Sequence, residues 1–470
     1  MVFSNLVFLY LFLPLCILLY FVLKPIRAKN TVLLVFSLLF YAWGEPVYLF
    51  LMVAMAAVNW GAGLLLGQQH KKLWLVLSVV LDLGALVLFK YAGLLVQSFN
   101  DLTRLSLPVP QLALPIGISF YTFQALTYTL DVWKGRVQVQ RSFWKFLLYL
   151  SLFPQLIAGP IVRYNDVEAA LSDRTSEPVD IFYGMTRFCM GLAKKVLLAD
   201  YCGKVASSIL DGNLAAGTTV SFWLGLILYS FEIYFDFSGY SDMAIGMGRI
   251  FGFRYPENFD LPYISRSITE FWRRWHISLG TFFRDYVYIP LGGNRRRQYL
   301  NMAIVWALTG LWHGASWNFL LWGLYFFVIL AVEKALGKER LRKIPAALRH
   351  VITLLLIVIG WDIFYFTDFT ALKESFRAMI GLTGSGFCNT QTLISLQNSL
   401  PLLALCVIGS TKLPQQLGNL FGAFCTEKND RGIGHTVYAV VTYVFDLALL
   451  VLSTIALVGS TYNAFLYFRF

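Results

Sequence analysis

Long apolar runs separated by short basic loops constrain this chain more than any motif does. Val2 to Leu23 is almost unbroken and apolar, and at about 1.5 Å per residue it is long enough to span the hydrocarbon of a bilayer. Further runs fall at about 31–43, 47–66, 73–96, 112–130, 143–162, 181–199, 219–248, 301–334, 350–367, 396–411 and 437–460. The 301–334 run has room for two passes. Strand-like alternation is absent, and a lone segment in lipid must satisfy its own backbone hydrogen bonds. The pattern therefore predicts an all-α polytopic membrane protein of about 11–13 transmembrane helices.

Composition excludes the soluble alternatives. Hydrophobic residues make up 58% and charged residues 14%, against about 25% charged in soluble domains. So few charges cannot cover a water-facing surface, which rules out a cytosolic enzyme, a secreted disulfide scaffold and a disordered chain. In a soluble protein the net charge of +12 would suggest nucleic acid. Here the basic residues sit in short loops, where they set topology, so the bilayer is the expected partner and nucleic acid is not. Lys24, Arg27 and Lys29 follow the first run, which places the N-terminus outside the cytoplasm. With no basic residue before that run and no small-residue cleavage site, it does not read as a signal peptide. Loops 67–72, 134–145 and 334–349 read as cytoplasmic, and the Pro-rich 106–115 as extracytoplasmic; between 160 and 200 the alternation is lost. No repeat or linker divides the chain, so residues 1–470 read as a single membrane domain. The six cysteines are scattered without metal-ligand or disulfide spacing, and no metal is expected.

Residues 249–300 do not fit simple spanning. Arg249, Arg254, Arg266, Glu270, Arg273, Arg274, His276, Arg284 and Asp285 alternate with Phe271, Trp272, Trp275, Phe282, Phe283 and Tyr286. Each charge at mid-bilayer would cost about 2.5–3.5 kcal/mol, while a solvated loop has no need of so many aromatics. A re-entrant or interfacial segment, buried in protein or lining a wet cavity, reconciles the two. If Thr269–His276 is one helix, Glu270 pairs with either Arg273 or Arg274, and Trp272 and Arg273 share a face with His276. The bland alternative is an aromatic-basic interfacial belt, which does not require His276.

His313 is the sharpest single residue, an ionisable group in the otherwise apolar stretch Trp306–Asn318. Thr309 and Gly310 lie one turn before it and Ser316 and Trp317 one turn after. The Gly310–Gly314 pair lets a helix or a ligand come close. A second polar knot, Phe235-Asp236-Phe-Ser-Gly-Tyr-Ser-Asp242, holds two carboxylates six residues apart. On one helix these point to different sides, so they read as structural partners of core Tyr or Arg groups. Gln124 and Gln155 are expected to make interhelical hydrogen bonds. There is no P-loop, dinucleotide fingerprint, HExxH or GxSxG.

Together, Glu270-Phe-Trp-Arg-Arg-Trp-His276-Ile-Ser-Leu, Phe283-Arg-Asp-Tyr286 and Gly310-Leu-Trp-His313-Gly-Ala-Ser-Trp-Asn318 resemble the membrane-bound O-acyltransferase family, in its bacterial polysaccharide branch of alginate O-acetylation type, related to D-alanyl transfer to teichoic acids. Pro115–Gln124, Pro154–Pro160, Phe235–Asp242 and the terminal Phe465–Phe470 add to the likeness, which runs over nearly the whole chain. The resemblance implies short, tilted helices around a central tunnel, His313 as the family's catalytic histidine, and His276 as the second position of the motif pair. It also implies transfer of an acyl group, acetyl first, from a cytoplasmic activated donor such as acetyl-CoA; no bound cofactor is implied. The acceptor would be an extracytoplasmic polysaccharide, reached through a partner of the SGNH-hydrolase kind, with the chain in a bacterial inner membrane.

On physical grounds His313 is then expected to act as general base and His276 to position the leaving group. Arg273, Arg274, Ser316, Trp317 and Asn318 are candidate substrate-binding residues, and Asp236, Asp242 and Glu270 structural polar ones. The Arg295-Arg296-Arg297 run either draws a polyphosphate-bearing donor or only marks topology. A secondary transporter or channel-like protein would also bury polar groups, but would be expected to show paired broken helices in two halves. A membrane scaffold subunit would tolerate loss of both histidines.

Overall fold

The computed structural model describes residues 2–67, 70–382, 385–427, 432–459 and 465–466, and every regular element among them is helical. Helices α1 (Phe8–Val22), α2 (Ile26–Ala42), α3 (Tyr48–Leu65), α4 (Lys71–Thr103), α5 (Ile118–Trp133), α6 (Phe143–Ser151), α7 (Pro178–Ala193) and α8 (Thr219–Ile250) make up the first half of the chain. The second half holds α9 (Ile268–Arg274), α10 (Ile277–Phe283), α11 (Gln298–His313), α12 (Trp317–Arg342), α13 (Ala346–Tyr365), α14 (Thr390–Gly409) and α15 (Gly434–Val458), with shorter helices between. Two compact units result: Met1–Phe188 with Tyr240–Glu257, and Cys189–Gly239 with Asn258–Phe470.

Among the described residues seven helices (α3, α4, α8, α12, α13, α14 and α15) are long and apolar enough to cross a membrane. That is fewer than the apolar runs suggest, and the local chemistry explains the difference. In the 112–130 run, Pro115 and Gly117 delay the helix to Ile118, Gly117 turning the chain at φ +77°. The resulting α5 buries nearly every side chain from Ile118 to Thr129, the pattern of a helix enclosed by protein. The 143–162 run stops at Ser151: Leu152 leaves the helical region at ψ 112°, and a separate four-residue helix, Phe153–Leu156, follows with Pro154 in its first turn. The 301–334 run divides into α11 and α12 with a break at Gly314, as its length suggested. On α15, Val440, Val444, Leu447 and Ile455 are exposed, the surface a bilayer would cover.

In the first unit, Arg187 on α7 meets Asp242 at 2.9 Å and also Glu257. Asn59 on α3 donates to Asp82 on α4 at 2.8 Å. Gln155 donates to the Tyr149 carbonyl at 2.6 Å. The Gln124 side chain, in contrast to expectation, is buried in α5 with no hydrogen-bond partner among the described residues.

In the second unit, Lys195 lies in a π-helical stretch, Lys194–Ala199, directly after α7. Its ammonium sits 2.8 Å from Asp200 and 2.5 Å from Asp236, all three buried or nearly so. Asp236 also accepts the Leu466 backbone N–H at 2.9 Å, and Phe465 covers the Lys195 ammonium. So Asp242 answers an arginine as expected, whereas Asp236 answers a lysine. Of the terminal Phe465–Phe470 motif, Tyr467–Phe470 lie outside the described residues.

Candidate active site

Ser267 caps α9 by accepting the Glu270 N–H at 3.0 Å. From α12, Glu333 takes the Ile268 and Thr269 N–H groups at 2.7 and 2.8 Å and the Thr269 hydroxyl at 2.7 Å. Four N–H groups at a helix start lack intrahelical partners, and this carboxylate satisfies two of them while complementing the helix dipole. The helix does not run to His276. It ends at Arg274, Trp275 is extended, and His276 takes a left-handed conformation at φ +46°. The cause is the turn into α10, whose first N–H, that of Ile277, must reach the Asn258 carbonyl at 3.0 Å. Histidine adopts this conformation more readily than most residues. The expected shared face of Trp272, Arg273 and His276 is therefore replaced by a turn. Glu270 pairs with Arg274 at 3.2 Å, not with Arg273, and Arg274 also holds Asp260 at 2.8 Å.

His276 is buried, and its two nitrogens have different surroundings. Nδ1 lies 3.1 Å from the side-chain oxygen of Asn258. That oxygen already accepts the Ser278 hydroxyl at 2.8 Å and the Ser278 N–H at 3.3 Å. An oxygen receiving these donors is an acceptor towards the ring as well, so Nδ1 carries the proton and Nε2 keeps its lone pair. Nε2 has no protein hydrogen-bond partner among the described residues. The residue lies outside the spanning helices; burial pushes its pKa well below the usual histidine range, and neighbouring His313 pushes the same way. The imidazole is held neutral.

His313 closes α11 and is half-buried. Trp312, Trp322 and Phe364 surround it, with ring centroids at 5.0, 5.0 and 5.3 Å. Its position follows from glycine packing. A Cβ at Gly310 would run into the Phe319 backbone of α12, one at Gly323 into Trp306, and one at Gly314 into the Phe319 ring. The Gly310–Gly314 pair thus admits a helix rather than a ligand. Both histidines line one cavity of about 210 Å³, walled by Trp272, Trp306 and Thr309, with Gly280 and Arg284 exposed at its edge. The Trp312 ring lies 5.6 Å from His276 and 5.0 Å from His313.

The other expected site residues lie elsewhere. Ser316, Trp317 and Asn318 are not among the cavity's lining; Asn318 is buried and donates to the Ile363 and Phe364 carbonyls at 3.2 and 3.3 Å, fastening α12 to the end of α13. Arg273 faces a second, larger cavity, and Arg295, Arg296 and Arg297 are exposed. Asn258 and Glu333 are the positioning residues that sequence reasoning did not single out. Asn258 sits in an aromatic loop with no motif spacing to His276, and nothing in an apolar run marks Glu333 as the cap of a distant helix. Among the described residues no group of three His, Cys, Asp or Glu could hold a metal ion.

Residues 66–370 match the membrane-bound O-acyltransferase family. Over its whole length the chain is 41% identical to the full length of the probable alginate O-acetylase AlgI of Azotobacter vinelandii. The chain belongs to the membrane-bound O-acyltransferase family. It is also 34% identical to the peptidoglycan O-acetyltransferase of Helicobacter pylori, over 83% of this chain and 81% of that one. Similarity extends at 29% identity to the teichoic acid D-alanyltransferase of Bacillus subtilis, over 53% of this chain and 68% of that protein. The protein is a multi-pass membrane acyltransferase, which decides between acyl transfer and transport, and the two-histidine cavity lies within the matched region.

Proposed function

We propose that this acyltransferase moves an acetyl group from a cytoplasmic thioester donor of the acetyl-CoA kind to an extracytoplasmic polysaccharide, through a secreted partner of the SGNH-hydrolase class. The observation that carries the reading is the convergence of His276 and His313, from separate elements, on one cavity. The names of the relatives support O-acetylation of a cell-surface glycan.

In this mechanism the acceptor hydroxyl gives its proton to His313 as its oxygen attacks the thioester carbonyl. A hydroxyl titrates far above neutrality, so a base is required, and a neutral imidazole is available near pH 7. The C–S bond then breaks and the proton passes from His313 to the departing thiolate, leaving no net change in the protein. His276, fixed by Asn258 and neutral, accepts a hydrogen bond through Nε2 and orients donor or acceptor. Arg284 at the cavity edge and the exposed Arg295–Arg297 run attract the donor's phosphates.

His313→Ala in purified, reconstituted protein is expected to abolish acyl transfer, by at least about 10²-fold, the lower bound for a lost general base. Size-exclusion profile and thermal midpoint should stay at wild-type values. Undiminished transfer by a folded His313→Ala protein would remove this mechanism.

A further inference from the structure

A second cavity, of about 750 Å³, lies beside the histidine site and is not used by the mechanism above. Six cations line it: Arg266, Arg273, Lys334, Lys338, Arg342 and Arg349. The two carboxylates on its wall are already engaged. Glu333 caps α9, and Glu270 holds the Arg266 backbone N–H at 3.0 Å and the Arg274 guanidinium. Arg342 alone of the six has a carboxylate partner among the described residues, Glu339 at 3.6 Å on the exposed surface. The Nε of Arg349 is buried with no acceptor among the described residues. A buried guanidinium nitrogen without a partner is costly. The other five cations are exposed, and gathered around Arg349 they focus a positive potential on the cavity that attracts an anion.

The remaining walls say what carries that anion. Leu330, Ile352 and Leu356 supply an apolar side. Ile352 is itself exposed and continues into Leu348, Val351 and Leu355, the exposed apolar face of the membrane-crossing α13. At Gly337 the helical geometry of α12 breaks (φ +75°, ψ 154°), and Lys338 and Arg342 follow the break. A phosphate at the cationic end would thus have an apolar surface running from it towards lipid. We infer that this cavity is a binding site for an anionic phospholipid, its phosphate held by Arg273, Arg349 and Lys338 and its acyl chains lying along α13. Phosphates of a soluble nucleotide-like ligand share the head-group chemistry but make no use of the apolar wall.

The test reconstitutes the full-length protein in bilayers of equal phosphatidylglycerol and phosphatidylcholine and counts retained lipids by native mass spectrometry. Wild type should retain phosphatidylglycerol in clear preference. Arg273→Gln with Arg349→Gln should cut that preference about tenfold or more, since each basic side chain near an anionic head group contributes about 1 kcal/mol. Arg273→Lys with Arg349→Lys should keep it, separating lost charge from lost fold. Equal retention of both lipids by wild type overturns the inference without recourse to any variant, as does an unchanged preference in the folded glutamine protein. Displacement of the retained phosphatidylglycerol by acetyl-CoA would overturn the lipid assignment in favour of a soluble phosphate ligand.

Discussion

Replacing Asn258 by alanine removes the oxygen that answers His276 Nδ1, Ser278 Oγ and Ser278 N, and leaves Nδ1 the longer 3.5 Å contact with Ser278 Oγ. The serine hydroxyl can rotate towards another acceptor, so the loss falls chiefly on the buried Nδ1–H. Stranding a buried donor costs about 1–3 kcal/mol. If about 1.4 kcal/mol of this is the preference for the tautomer with a bare Nε2, the ratio of that tautomer to the other falls tenfold. The expected result is a kcat/KM lower by up to about tenfold, because the tautomer whose Nε2 can accept the substrate's hydrogen bond is less populated. Asn258→Asp keeps an oxygen near Nδ1 and adds a negative charge, which favours imidazolium and raises the His276 pKa. A site that needs neutral His276 loses activity as pH falls through that pKa. In wild type the acid limb due to His276 therefore lies well below pH 6.5, and in Asn258→Asp it moves to higher pH. The assay is donor turnover and acyl transfer by reconstituted protein between pH 5 and 9. Wild-type kcat/KM in Asn258→Ala, together with no movement of the acid limb in Asn258→Asp, would refute the assignment of Nδ1 as donor and Nε2 as the working atom.

Other perturbations follow from the same geometry. Gly310→Val drives a side chain into the Phe319 backbone and should cost at least about 1–3 kcal/mol by overpacking, read as a lower thermal midpoint in detergent. Lys195→Met leaves Asp236 and Asp200 without their cation and should destabilise by about 3–5 kcal/mol; Lys195→Met with Asp236→Leu should recover part of that loss in the same melt. Since His276 binds its proton less readily folded than unfolded, stability should fall as pH drops below about 6.5, by up to about 1.4 kcal/mol per pH unit. His276→Gln should flatten that slope in melts between pH 7.5 and 5.5.

Much of this site can be read from residue types because a bilayer penalises polar groups so heavily. His313, alone in an apolar stretch, and His276, among aromatics that a plain loop does not need, stand out without any structure. What the sequence does not reveal is turn geometry and long-range capping. Treating Thr269–His276 as a regular helix is reasonable from spacing, but the left-handed His276 is imposed by α10 having to start against Asn258. The number of crossings is blurred for a related reason. Apolar runs such as 112–130 are apolar because protein encloses them, and hydropathy alone does not distinguish a protein interior from lipid.

The buried polar groups also bear on the proposal that the two histidines, rather than another orphaned group, carry the chemistry. Several side chains here are buried without an answering partner among the described residues, including the Trp272 and Trp322 indole N–H groups and the Gln124 amide. An indole N–H can only donate and an amide does not take up a proton near neutrality, so neither can serve as a base. Lys195 titrates, but two carboxylates claim it. His276 combines three properties: a titratable ring, one nitrogen fixed by Asn258, and the other left with its lone pair in a cavity shared with His313. One-sided satisfaction of an imidazole costs folding energy without adding a contact, and in the scheme proposed here catalysis is what offsets that cost. A protein variant in which both nitrogens of His276 were satisfied should therefore fold more stably and turn over more slowly.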